Sequence, residues 1–180
     1  MDTQAVIRRQ VARVLLFDEQ DRVLLFHVRD PAEPTGDAWW YLPGGGMDPR
    51  ESPEQAARRE LSEETGIEDA EIGPVVLERR GVRFRFAGRD YEQDEWLVFG
   101  RLPEGGVITG GSDDLEAHAV AAHRWWTLAD LAATADLIYP EGLVTIVGRL
   151  LREGPPPVLW EVDRSDGITQ DVTSASTDAP

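Results

Sequence analysis

Residues 45–67, GGMDPRESPEQAARRELSEETGI, constrain this chain more than any other stretch. A glycine-rich turn, Gly44 to Gly46, follows Pro43 and leads into a helix whose end gathers Glu60, Glu63 and Glu64. Residues three and four apart share a helical face, so this spacing makes the carboxylates converge. Negative charge packed that closely is unfavourable unless a cation sits among it. Hard divalent cations with oxygen ligands, Mg²⁺ above all, are the natural partner.

The helix carries its own punctuation. Ser52 has the position of an N-cap, Pro53 that of the first helical residue, and Gln55 completes a capping-box spacing. Ala57 and Leu61, with Ala56 beside them, form a narrow apolar stripe. Gly66 stands where a C-terminal cap belongs, followed by Ile67. Arg59 precedes Glu63 by four positions and is within reach of Glu51. The helix is therefore expected to bury a narrow face and turn its acidic face to the glycine loop.

The full spacing is Gly45, five residues, Glu51, seven residues, Arg59-Glu60-Leu61, one residue, Glu63-Glu64, one residue, Gly66-Ile67. It resembles the Nudix box at every specified position, with seven identities, two aliphatic positions and no gap. The resemblance implies an α/β fold in which a mixed β-sheet is sandwiched between α-helices. It also implies a Mg²⁺-dependent pyrophosphohydrolase, with Mn²⁺ as a substitute metal. The expected substrate is a nucleoside diphosphate linked to another group, such as a nucleoside triphosphate or a modified nucleotide removed in a sanitising role.

Carried over position by position, Glu63 and Glu64 become metal ligands and the Gly45 carbonyl a backbone ligand. Glu60 is either a further ligand or the general base. Arg59 joins Glu60 and Glu63 in the catalytic group as the residue that, with Glu51, orients helix and loop. Family members often recruit one more acid from a later loop; here Asp113, Asp114 and Glu116 are the candidates, and Glu116 is favoured. Homodimers are common in the family, and nothing in the sequence decides for or against one.

Composition excludes several classes. There is no cysteine, so disulfides, thiolate catalysis and cysteine-ligated zinc are ruled out. A net charge of −16 argues against nucleic-acid binding through the phosphate backbone. It also means that a polyphosphate substrate would be repelled unless metals screen the site. No run is long and apolar enough to span a bilayer, and no leader pattern opens the chain, so the expectation is a cytoplasmic protein with no membrane partner.

A pass along the chain predicts strands over residues 8–17 and 22–28, a loop over 29–37, and a short strand over 39–42 that delivers the glycine turn. The helix over 53–65 follows. Residues 72–86 read as two strands or one bent strand, 95–102 as a strand, 103–114 as a glycine-rich loop and 123–126 as the last core strand. Thr127 caps a short helix through Ala133, and a second helix covers 141–152, with Leu143, Ile146, Val147, Leu150 and Leu151 on one face. Residues 158–162 add an edge strand. One domain is expected over 1–163, with a disordered acidic tail over 164–180.

Candidate substrate contacts lie outside the box. The aromatics Trp39, Trp40 and Tyr41, directly before the glycine turn, are either buried strand residues or include one that stacks a nucleobase, for which Trp40 is the choice. Arg79, Arg80, Arg83, Arg85 and Arg89 alternate with Phe84 and Phe86, giving a strand whose basic face either touches phosphates, with Arg83 as the candidate contact, or balances nearby acids. His118 and His123 have no second histidine at ligand spacing and read as structural or solvated. The markers of ADP-ribose, dinucleoside polyphosphate, NADH and coenzyme A subfamilies are missing. The alternative to an enzyme is a non-catalytic nucleotide sensor on the same scaffold; the complete box argues against it.

Overall fold

Residues 14–17 of the first strand and 23–26 of the second read as unbroken apolar runs because both faces of these stretches are covered. In the computed structural model, which describes residues 5–103, 120–163 and 167–169, β1 (Ile7–Phe17) and β2 (Val23–Arg29) form the middle of one mixed sheet. Ala12, Val14 and Leu16 of β1 pack on one side of it, and Leu15 and Phe17 on the other. Period-two alternation puts consecutive residues on opposite faces, so a strand buried on both faces must be apolar throughout.

The remaining strands are β3 (Ala38–Tyr41), β4 (Gly44–Gly46), β5 (Glu71–Phe86), β6 (Arg89–Arg101), β7 (Val120–Trp126), β8 (Leu137–Tyr139), β9 (Trp160–Asp163) and β10 (Gly167–Thr169). The main order is β10-β9-β5-β6-β1-β2-β3-β8, with β4 paired to β1 and β7 to β2. β1 runs parallel to β6, β3 to β8 and β5 to β9, while the other pairs are antiparallel. Helix α1 (Pro53–Thr65) covers one face through Ala56, Ala57 and Leu61. Helices α2 (Leu128–Ala133) and α3 (Leu143–Glu153) cover the other through Leu131, Leu143, Ile146, Val147 and Leu150. This is the expected mixed sheet between helices.

The caps follow the sequence closely. Ser52 accepts from the Gln55 amide at 3.3 Å while the Gln55 side chain accepts from the Ser52 amide at 2.8 Å. Gly66 ends α1 in the left-handed region, φ 71°. Thr127 and Asp130 form a second capping box at the start of α2.

Several elements depart from expectation, among them β7, which starts at Val120 and not at residue 123. β6 starts at Arg89, six residues before the predicted boundary, because the polar stretch 89–94 is stabilised as a strand by cross-strand pairs such as Arg83–Glu92 and Arg85–Asp90. Ala87 and Gly88 both have positive φ, 49° and 74°, the signature of the tight hairpin turn that joins β5 to β6. β4 and β8, three residues each, are too short to leave a periodic signal. Beyond Asp163, residues 167–169 pair antiparallel with β9. The rest of the expected tail lies outside the described residues.

Candidate active site

The site is built where the glycine turn pairs with β1. Gly44, Gly45 and Gly46 stand opposite Arg13, Ala12 and Val11. Helix α1 leaves this turn through the loop containing Glu51 and brings Glu60 back against it. A Cβ on Gly45 would lie 2.5–2.7 Å from the three carboxyl atoms of Glu60, so the glutamate occupies the space that a side chain at position 45 would need.

Arg59 ties these parts together. Its Nε and NH2 groups donate to the two Glu51 oxygens, each at 2.8 Å, and NH2 also donates to the Gly46 carbonyl at 2.8 Å. Its NH1 group donates to Glu60 at 2.8 Å and to Glu63 at 3.2 Å. The bidentate pair holds the Glu51 carboxyl down at about 2, chiefly through the Arg59 hydrogen bonds and secondarily through the Asp48 amide. The same pairing raises the Arg59 guanidinium above its ordinary value.

The three box carboxylates do not all point one way. Glu60 and Glu63 converge on Arg59, with the Glu63 side chain 57% exposed. Glu64 is only 4% exposed and turns beneath the glycine turn, where its Oε2 accepts from the Gly44 amide at 2.8 Å. Among the described residues no group of three or more Asp, Glu, His or Cys side chains converges at metal-binding spacing. Glu116, Asp113, Asp114 and His118 lie outside the described residues.

Two candidate substrate residues are placed elsewhere. Trp40 is only 9% exposed; it donates from Nε1 to Asp136 at 3.0 Å and packs edge-on to Trp126 in the core beneath α3. Strand alternation sends Trp39 and Tyr41 to the opposite face, so the aromatic neighbours of the turn are those two, and Trp40 is a core residue. Arg83 is 77% exposed and pairs with Glu92 at 2.6 Å on the outer face of the β5–β6 hairpin. Opposite charges across the strands hold it there.

Sequence reasoning missed Arg13. Its NH1 donates to the Gly44 carbonyl and its guanidinium lies 4.8 Å from the Tyr41 ring centre. The available signal was its even spacing from Arg9 in β1, which puts both arginines on one face of a strand. His123 is exposed, Trp126 is a core residue, and Trp125 packs half-buried on the α1 side.

Comparisons with known proteins identify the family and the fold. The family model for the NUDIX domain matches residues 7–144, and the chain belongs to the Nudix family. A Bacillus subtilis (strain 168) protein provisionally named 8-oxo-dGTP diphosphatase is 31% identical over 104 residues, 58% of this chain and 60% of that protein. The RNA pyrophosphohydrolase of Ectopseudomonas mendocina (strain ymp) is 43% identical over 50 residues, 28% of this chain and 31% of its own. The chain thus matches less than two thirds of either relative's length. Among solved structures, the MutT protein of Methanosarcina mazei Go1 shares the fold with a TM-score of 0.55 at 20% identity, covering 86% of this chain and all of that one.

Proposed function

We propose that the protein is a divalent-metal-dependent pyrophosphohydrolase that cleaves a nucleoside diphosphate linked to another moiety, with a nucleoside triphosphate or a modified nucleotide as substrate. The observation that carries this reading is the Arg59 array, which holds Glu51, Glu60, Glu63 and the Gly46 carbonyl in one place. The names of the two curated relatives support nucleotide pyrophosphate chemistry as the class.

The donors around the turn fit a hard cation. They are all oxygens, and Glu60 is seated in a cradle that any side chain at position 45 would fill. Glu60, Glu63, Glu64 and the Gly45 carbonyl would hold Mg²⁺ or Mn²⁺. Arg59 is anchored to Glu51 and Gly46 through Nε and NH2, so its NH1 contacts can be exchanged for a metal without releasing the guanidinium. The metal would neutralise diphosphate charge and activate water. The chain's own part is to keep Glu60 and Glu63 side by side and to bring the glycine backbone close to the phosphates.

The test is hydrolysis of a nucleotide panel with Mg²⁺ by wild-type protein and by Glu63→Gln. Metal-dependent release of phosphate or pyrophosphate, lost in the variant, is the expected result. Tight nucleotide binding without turnover would overturn the reading in favour of a sensor.

A further inference from the structure

The face of the sheet beside the glycine turn is unusually cationic for so acidic a protein. Val11 of β1 stands opposite Gly46 on one side and Glu95 of β6 on the other. Adjacent strands are roughly 4.8 Å apart, so the Gly46 and Glu95 backbones are about 10 Å from one another across β1. Arg9 and Arg13 flank Val11 two residues away in each direction, on the same strand face.

A buried polar chain fixes Arg9. Its Nε donates to Gln93 at 2.8 Å, Gln93 donates to Glu95, and Arg79 donates to the other Glu95 oxygen at 2.6 Å. Gln93 and Glu95 are both buried. The Arg9 guanidinium lies 4.9 Å from the Tyr91 ring centre and 5.8 Å from that of Phe84, two rings stacked 5.1 Å apart. Arg9 itself is exposed, and among the described residues its NH1 and NH2 groups donate to nothing.

Ten of the fifteen other described arginines form ion pairs with a carboxylate, among them Arg59, Arg79, Arg83, Arg85 and Arg101. Arg9 and Arg13 form none among the described residues. Although the residue as a whole is exposed, partial shielding of its guanidinium from water, more than the neighbouring Arg13 charge, holds Arg9 below its ordinary value against the opposing pull of Tyr91 and Glu95.

Resting on the hydrolase reading above, we propose that Arg9 and Arg13 receive a phosphate beyond the diphosphate to be cleaved. The substrate class is then a nucleotide carrying an additional phosphate, and Arg9 is a specificity-determining residue. Two guanidinium forks suit a multiply charged group with several acceptor oxygens. A stacked nucleobase suits this spot less well, because Arg9 already lies against the aromatic pair. The extra phosphate has two chemical sources: a longer polyphosphate chain, or a phosphate on the sugar.

The experiment compares wild type, Arg9→Gln and Arg152→Gln on two substrate pairs. Diadenosine tetraphosphate against diadenosine diphosphate varies the chain, and coenzyme A against dephospho-coenzyme A varies the sugar phosphate. In one pair, Arg9→Gln is expected to lower kcat/KM about tenfold more for the member with the additional phosphate, mainly through KM. Arg152→Gln, an exposed residue in the last turn of α3, serves as the surface control. The pair that responds identifies the source. Equal losses on both members of both pairs would overturn the proposal. Titration of the same four compounds into each protein in EDTA separates the two readings. Phosphate-dependent binding lost in Arg9→Gln, without turnover by wild type, would keep the subsite and remove the hydrolase; absence of that difference would remove the subsite.

Discussion

The carboxylate of Glu60 occupies the space where a side chain on Gly45 would stand, with the missing Cβ only 2.5 Å from Oε2. Two residues fifteen positions apart are thus in direct steric dependence. The atom that would be struck is the flexible end of a glutamate, so a Gly45→Ala protein can fold by moving it. We expect an unfolding free energy within about 1 kcal/mol of wild type and a loss of at least tenfold in kcat. Denaturant titration beside steady-state rates checks this; a variant that is fully active with Glu60 displaced would deny that residue a role.

The Glu51–Arg59 pair makes stability depend on pH in a stated direction. The Glu51 carboxyl is lowered from 4.5 to about 2 in the folded protein. A depressed carboxylate contributes stability that is fully present above its unfolded value and is lost as pH falls toward the folded one. The difference between wild type and Glu51→Gln should therefore be constant above about pH 5 and shrink between pH 4.5 and 2. Thermal melts of both proteins over that window test it, and parallel curves would refute the pairing.

Glu64 has a structural duty that Glu63 lacks. It is buried and accepts from the Gly44 amide, whereas Glu63 is largely exposed. Glu64→Ala should cost about 1–3 kcal/mol by leaving a buried donor unpaired, and Glu64→Gln, which keeps an acceptor, should cost less. Glu63→Gln should leave stability near wild type. Chemical denaturation of the three variants distinguishes these outcomes.

Trp40 separates the sequence expectation from the fold. As a core residue bonded to Asp136 and packed on Trp126, Trp40→Ala should cost about 3–5 kcal/mol. Tyr41→Phe should be far milder. If Trp40→Ala instead left the melting temperature intact and raised KM alone, the stacking role would return.

Helix α1, its caps and the Arg59–Glu63 pair were legible in the sequence because each is a local spacing. The sequence also puts Glu51 within reach of Arg59, but not the Gly46 carbonyl, thirteen positions away. Capping boxes, i to i+4 pairs and a left-handed glycine cap are decided within one or two turns of chain, and the structure places them at Ser52, Arg59 and Gly66 as expected. The apolar runs over residues 8–17 and 22–28 likewise announced two strands, while the covering of both faces of residues 14–17 and 23–26 came from the tertiary structure. What the sequence could not determine was which residues sit across from one another. Whether Trp39 or Trp40 faces the turn depends on strand register, and a shift of one residue exchanges the two faces. The cationic face joining Arg9, Arg13, Arg79, Gln93 and Glu95 draws on three strands up to eighty-six positions apart, brought together by the parallel β1–β6 pairing and the long β5–β6 hairpin. Short-range chemistry is written along the chain; the matching of distant charges is decided only when the sheet closes.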